Sequence, residues 1–83
     1  IMTYFVYILV SISTNKKKTY VGYTNNLTER LKKHNSNKGA KSTKGYKWKI
    51  IYKKKFSTKN KAMSYEYKLK KNRKERLTII KNL

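Results

Sequence analysis

Two kinds of apolar spacing run along the chain. Tyr4-Phe5-Val6-Tyr7-Ile8-Leu9-Val10 is apolar at every position, the pattern of a strand covered on both faces. After a polar loop, Thr19-Tyr20-Val21-Gly22-Tyr23-Thr24 is a second short run of β-branched and aromatic residues. The two predict an antiparallel hairpin with Tyr7 and Tyr20 available to the same side. Gly22 inside the second run marks a close approach of backbone or ligand. The spacing then turns helical from Asn26 to Asn35, with Leu27, Leu31 and His34 on one face. Asn26 is suited to cap this helix, and Glu29 three residues on can reach back to it. Arg30 and His34, four residues apart, project from one side of the helix, toward whatever Tyr20 and Gly22 pack against.

Beyond the helix, residues 36–45 are small, polar and studded with lysine. They read either as a solvated loop or as a backbone-gripping one, with Lys38, Lys41 and Lys44 on phosphate oxygens. In Lys47–Lys53, Trp48, Ile50 and Tyr52 alternate with mostly lysine, which predicts an edge strand blunted by charge. Ser57 or Thr58 is placed to cap a helix over Lys59–Lys71, and a last helix over 73–83 turns Leu77, Ile80 and Leu83 inward. The elements together predict an α+β fold, a three-stranded antiparallel sheet flanked by three or more helices, in one domain spanning residues 1–83. Ile1 ahead of Met2 reads as a cloning remnant.

Charge narrows the partner. Lys and Arg together number 23 against 3 acidic residues, a net +20, which opposes compaction by self-repulsion and is explicable chiefly by a polyanionic partner. Nucleic acid leads and an anionic membrane surface follows. An AT-rich genome explains some of the lysine, but not the shortage of acids. Only Arg30, Arg73 and Arg76 are arginine. The planar fork of arginine grips phosphate in a way that lysine does not, so Arg30 stands out. With no cysteine, disulfides and thiolate metal sites are excluded. No stretch approaches the ~20 apolar residues of a membrane span, and the expectation is a soluble, intracellular protein.

One carboxylate is out of place. Glu66 lies four residues after Ala62 and three from both Met63 and Leu69, inside the apolar face of its helix. An ionised carboxylate there requires a partner, either an internal ion pair, with Arg30 the obvious cation, or a bound metal. Three glutamates and no aspartate cannot hold two cations ~4 Å apart. One hard cation on one carboxylate, water and substrate phosphate is compatible with the composition. Water activation then needs another residue type, and Tyr7, Tyr20 and His34 are the candidates. A phenol titrates near 10, so dense positive charge is needed to favour the phenolate, and the basic composition is expected to supply it.

These residues in this order carry a resemblance. Phe5-Val6-Tyr7, then Tyr20-Val21-Gly22, Arg30, His34 and Glu66 resemble the GIY-YIG nuclease superfamily over nearly the whole chain. Phe5 and Val6 stand where the first motif of the family name has Gly and Ile. Within the superfamily the chain resembles the nuclease domain of Slx-type structure-selective endonucleases through Leu9-Val10-Ser11, Thr19–Thr24, Lys33-His34-Asn35 and Gly39-Ala40. No zinc-binding partner domain of that type is expected within these residues, since they contain no cysteine. The chain also resembles small stand-alone members through its length and Lys38-Gly39-Ala40-Lys41.

The resemblance implies a DNA endonuclease using one divalent cation, Mg2+ or Mn2+, held by Glu66. Arg30 would hold the scissile phosphate, Tyr7 and Tyr20 would line the site, and Tyr20 or His34 would help activate water. Gly22, Lys32, Lys33, Lys38, Lys41 and Lys44 are the candidate substrate contacts, and Asn72 or Asn82 is the option for a last-helix asparagine. Branched or flapped DNA in repair or recombination is the expected substrate, and paired cuts would be served by a homodimer. The alternatives are a non-catalytic nucleic-acid-binding protein on the same fold and an RNA-directed nuclease or ribosome-associated basic protein.

Overall fold

A computed structural model describes residues 3–12, 18–39 and 45–82. Strand β1 (Tyr4–Ser11), strand β2 (Thr19–Thr24), helix α1 (Leu27–Asn35), strand β3 (Trp48–Phe56), helix α2 (Lys59–Lys71) and helix α3 (Arg73–Lys81) follow in that order. The sheet order is β2-β1-β3 and both pairings are antiparallel. The unbroken apolar run thus takes the centre, covered on both faces as its composition demands. The mouth of the β1–β2 hairpin is closed by Ser11 N–H donating to the Lys18 carbonyl at 2.9 Å and Lys18 N–H donating to Ser11 Oγ at 2.8 Å.

Each face of β1 builds its own core. Val6 and Ile8 join Val21, Ala62 and Leu69 beneath α2, while Tyr7 and Leu9 join Trp48, with Leu27 and Leu31 of α1 packed against them. The alternation predicted for β3 is broken by a bulge. Ile8 lies opposite Tyr52 and Leu9 opposite Ile50, which leaves Ile51 as an extra residue. Trp48 and Ile50 therefore serve the α1 side, and Tyr52 serves the α2 side with Phe56. Lys54 and Lys55 continue the strand beyond its predicted end to Phe56, and with Lys53 their charges guard the outer edge.

The two C-terminal helices depart from the expected faces. Met63 is 43% and Leu77 53% exposed, whereas Ile79 packs on the core. Leu83 lies outside the described residues. Docking α3 by Ile79 turns Leu77 outward, and Arg76 Nη1 donates to the carbonyls of Leu69 and Lys70, closing the end of α2. Thr58, rather than Ser57, caps α2, its side chain accepting from Lys61 N–H.

The last residue of α1 fixes the helix to the sheet. Trp48 N–H donates to Asn35 Oδ1 at 2.6 Å, and Asn35 Nδ2 donates to the Trp48 carbonyl at 3.2 Å. Asn35→Ala removes both bonds in a part-buried position, and an expected loss of about 1–3 kcal/mol can be read by urea unfolding followed through the single tryptophan.

Candidate active site

The site forms where β2 runs along the rim of the sheet. Tyr7 lies opposite Gly22, and Tyr20 pairs with Leu9 two residues along. The alternation of a strand thus puts both tyrosines on the α1 face, with ring centroids 6.4 Å apart. A Cβ on Gly22 would stand 2.5 Å from Tyr7 Oη and 3.0 Å from Tyr20 Cε2. The close approach marked by this glycine is that of the two phenol rings.

Helix α1 begins where Asn26 Oδ1 accepts from Glu29 N–H at 3.1 Å, as the capping reading requires. Glu29 reaches back to the side-chain amide of Asn26 at 3.5 Å, instead of to its backbone. One turn further, Arg30 Nε donates to Tyr7 Oη at 3.3 Å, and Tyr7 Oη lies 3.0 Å from His34 Nε2. The helical spacing of Arg30 and His34 thus clasps one phenol from both sides.

Burial dominates the titration of Tyr7 and of His34. Tyr7, 1% exposed, has its phenol pushed up to about 12 by burial, against the opposing pull of the Arg30 hydrogen bond. The expectation that local positive charge would favour a phenolate is corrected at Tyr7, because desolvation outweighs one guanidinium. The hydrogen bond to Tyr7 raises Arg30 and secures its charge. His34 is fully buried, and its imidazole is lowered by burial and by the Arg30 charge. A neutral imidazole accepting the Tyr7 proton at Nε2 carries its own proton on Nδ1.

The signs of these shifts fix a pH dependence of stability. His34, lowered on folding, contributes stability above the ordinary histidine value that is lost as pH falls through its folded value. Tyr7, raised on folding, contributes stability below pH 10 that is lost as pH rises toward about 12. Melting temperature against pH is expected to fall at both ends, and His34→Gln is expected to flatten the acid limb.

Glu66 reaches the same cavity from the opposite face of the sheet. A space of about 410 Å³ along β2 has Tyr7, Tyr20, Gly22, Arg30, Lys59 and Glu66 in its wall. The Glu66 side chain is 18% exposed and pairs with Lys70 at 3.8 Å. The internal ion pair is therefore with the next turn of its own helix, and Arg30 is left to the two phenols. His34 stands behind Tyr7, outside the wall. Lys33 pairs with Glu29 at 3.5 Å and, with Arg30, lines a small adjoining cavity. Lys32 and Lys38 are exposed away from the main cavity, Lys32 on a different face of α1 from Arg30 and Lys38 beyond the end of that helix. Lys41 and Lys44 lie outside the described residues.

Two contributors are not apparent from spacing alone. Lys59, at the start of α2, adds a cation to the cavity wall. Gly39 presses its backbone on the His34 ring, where an added Cβ would meet Nδ1 at 2.5 Å. Gly39→Ala is expected to displace the imidazole and destabilise the protein by about 1–3 kcal/mol, measurable as a lower melting temperature.

No group of three or more His, Cys, Asp or Glu side chains that could hold a metal occurs among the described residues. The single carboxylate in a cavity open to water nevertheless suits a hard cation that keeps most of its hydration and shares the rest with a phosphate.

The match to known proteins agrees with this architecture. Residues 3–78 match the GIY-YIG catalytic domain; the chain belongs to this family, and its function is of the nuclease type. It is 46% identical over 82 residues to the UPF0213 protein YsiG of Lactococcus lactis, covering 95% of this chain and 76% of that one. A UPF0213 protein of Oceanobacillus iheyensis is 44% identical over 68 residues, covering 81% and 76% respectively. The solution NMR structure of a UPF0213 protein from Bacillus halodurans shares the fold with a TM-score of 0.56 at 34% identity, over 96% of this chain and 84% of that one. No helix among the described residues is long and apolar enough to cross a membrane.

Proposed function

We propose that this protein is a DNA endonuclease that hydrolyses one phosphodiester bond at a time with a single divalent cation, Mg2+ or Mn2+, held by Glu66. The observation that carries the reading is the convergence on one cavity of a charged, phenol-anchored Arg30 and a carboxylate from the opposite face of the sheet. When bound, the cation supplies Lewis acidity toward the scissile phosphate. Arg30 holds a non-bridging oxygen and stabilises the charge that grows there. Tyr7 and His34 fix the plane of the guanidinium. Tyr20 positions the attacking water, since His34 has no access to the cavity. The water oxygen bonds to phosphorus and its proton passes to solvent, the P–O bond to the leaving oxygen breaks, and that oxygen takes a proton from solvent.

The many lysines give a salt-sensitive grip on backbone without base readout. A chain of this size reads little sequence by itself, so branched or flapped DNA of the kind met in repair and recombination is the substrate class. Residues 1–83 act as one nuclease domain, with a homodimer serving paired cuts.

Incubation with duplex, flap, fork, four-way-junction and single-stranded DNA, with and without Mg2+ or Mn2+, tests this reading. Metal-dependent cuts favouring branched forms are expected. Tight binding with no cleavage under any condition would instead identify a nucleic-acid-binding protein on this fold.

A further inference from the structure

We propose that the outer side of Tyr20 carries a second phosphate subsite, built by Lys70, Arg76 and Thr19, for the phosphate next to the one held by Arg30. The identity of that first phosphate rests on the nuclease reading. A separate cavity of about 330 Å³ is lined by Thr19, Tyr20, Val21, Lys70 and Arg76. It shares Tyr20, and no other wall residue, with the active-site cavity. One tyrosine therefore divides two basic recesses on the same rim.

The chemistry of this recess is that of an anion site. Arg76 spends Nη1 on the carbonyls of Leu69 and Lys70. Those bonds hold the guanidinium in place and leave the donors of Nε and Nη2 for a ligand. Among the described residues no carboxylate pairs with Arg76, and no acidic residue lines the recess. Lys70 Nζ stands 3.8 Å from Glu66 and 5.7 Å from the centroid of the Tyr20 ring, on the partition between the two cavities. The Thr19 hydroxyl adds a neutral donor. The Tyr20 ring itself is a stacking surface for the sugar or base joining the two phosphates. The matching ligand unit is a nucleoside phosphorylated at both its 5′ and 3′ positions.

Binding of small nucleotides tests the subsite without any need for turnover. Deoxythymidine 3′,5′-bisphosphate is expected to bind at least about tenfold tighter than either monophosphate. Lys70→Gln with Arg76→Gln is expected to bring that preference to within about twofold. Lys53→Gln with Lys55→Gln removes the same charge from the far edge of the sheet and is expected to leave the preference intact. Lys70→Gln alone, at a residue 48% exposed, gives a reading free of the helix-closing role of Arg76 and is expected to lose part of the preference. Equal affinity for mono- and bisphosphate in the wild type, or equal losses in the two double variants, would overturn the subsite. A bisphosphate preference sensitive to Lys70 and Arg76 in a protein that cleaves no DNA would uphold the subsite and sink the nuclease reading; cleavage without the preference would do the reverse.

Discussion

Glu66→Gln is expected to lower the rate of metal-dependent cleavage by roughly 10³-fold while leaving gel-shift affinity for the same DNA nearly unchanged. Glutamine keeps the size of the side chain and can still lie in the wall of the cavity, so the folded structure has little reason to change. What disappears is the charge that a hard cation requires, in a chain with only 3 acidic residues to offer. Glu29 is occupied with the start of α1 and with Lys33, and Glu75 with the start of α3. Neither can substitute. The net charge rises by one, which slightly favours DNA binding, so a lost cut with intact binding separates catalysis from affinity. An unchanged cleavage rate in Glu66→Gln would end the one-metal proposal.

Arg30→Ala is expected to reduce the cleavage rate at saturating DNA by about 10²–10³-fold, with a smaller effect on binding. Two things are lost together: the donor proposed to hold the phosphate, and the clasp on Tyr7 that the Nε bond at 3.3 Å provides. As one of 23 basic residues it contributes at most ~0.9 to the salt slope of DNA affinity. A rate that collapses while the slope barely moves identifies a group acting on the transition state. Arg30→Lys retains charge without the planar fork or the Nε donor, so it is expected to recover binding and little of the rate. Full activity in Arg30→Lys would reduce the arginine to a point charge.

The sequence was most informative where one physical constraint dominated. The run from Tyr4 to Val10 could only be a doubly covered strand, and it is the central one. Asn26 capped its helix as spacing implied, and Arg30 and His34 met the same tyrosine because four residues separate them. Glu66 was conspicuous as a charge amid apolar positions, and it does face the cavity. Its ion-pair partner was not legible, because Lys70 is one of many lysines and its selection depends on the helix turn. The bulge at Ile51 was hidden for a related reason. Trp48, Ile50 and Tyr52 alternate in sequence, and only the two differing helices on either side of the sheet require a change of face between them. The pull of burial on Tyr7 was likewise beyond a count of charges, since it depends on how completely the α1 face is covered.

The cavity takes its guanidinium from α1 and its carboxylate from α2, and these helices lie on opposite faces of one sheet. On the proposed one-metal reading, catalysis therefore depends on the whole layered assembly. Opening of α2 and α3 alone would withdraw the carboxylate while the hairpin, α1 and the Arg30–Tyr7–His34 chain remained standing, and such a state is expected to bind nucleic acid without cutting it.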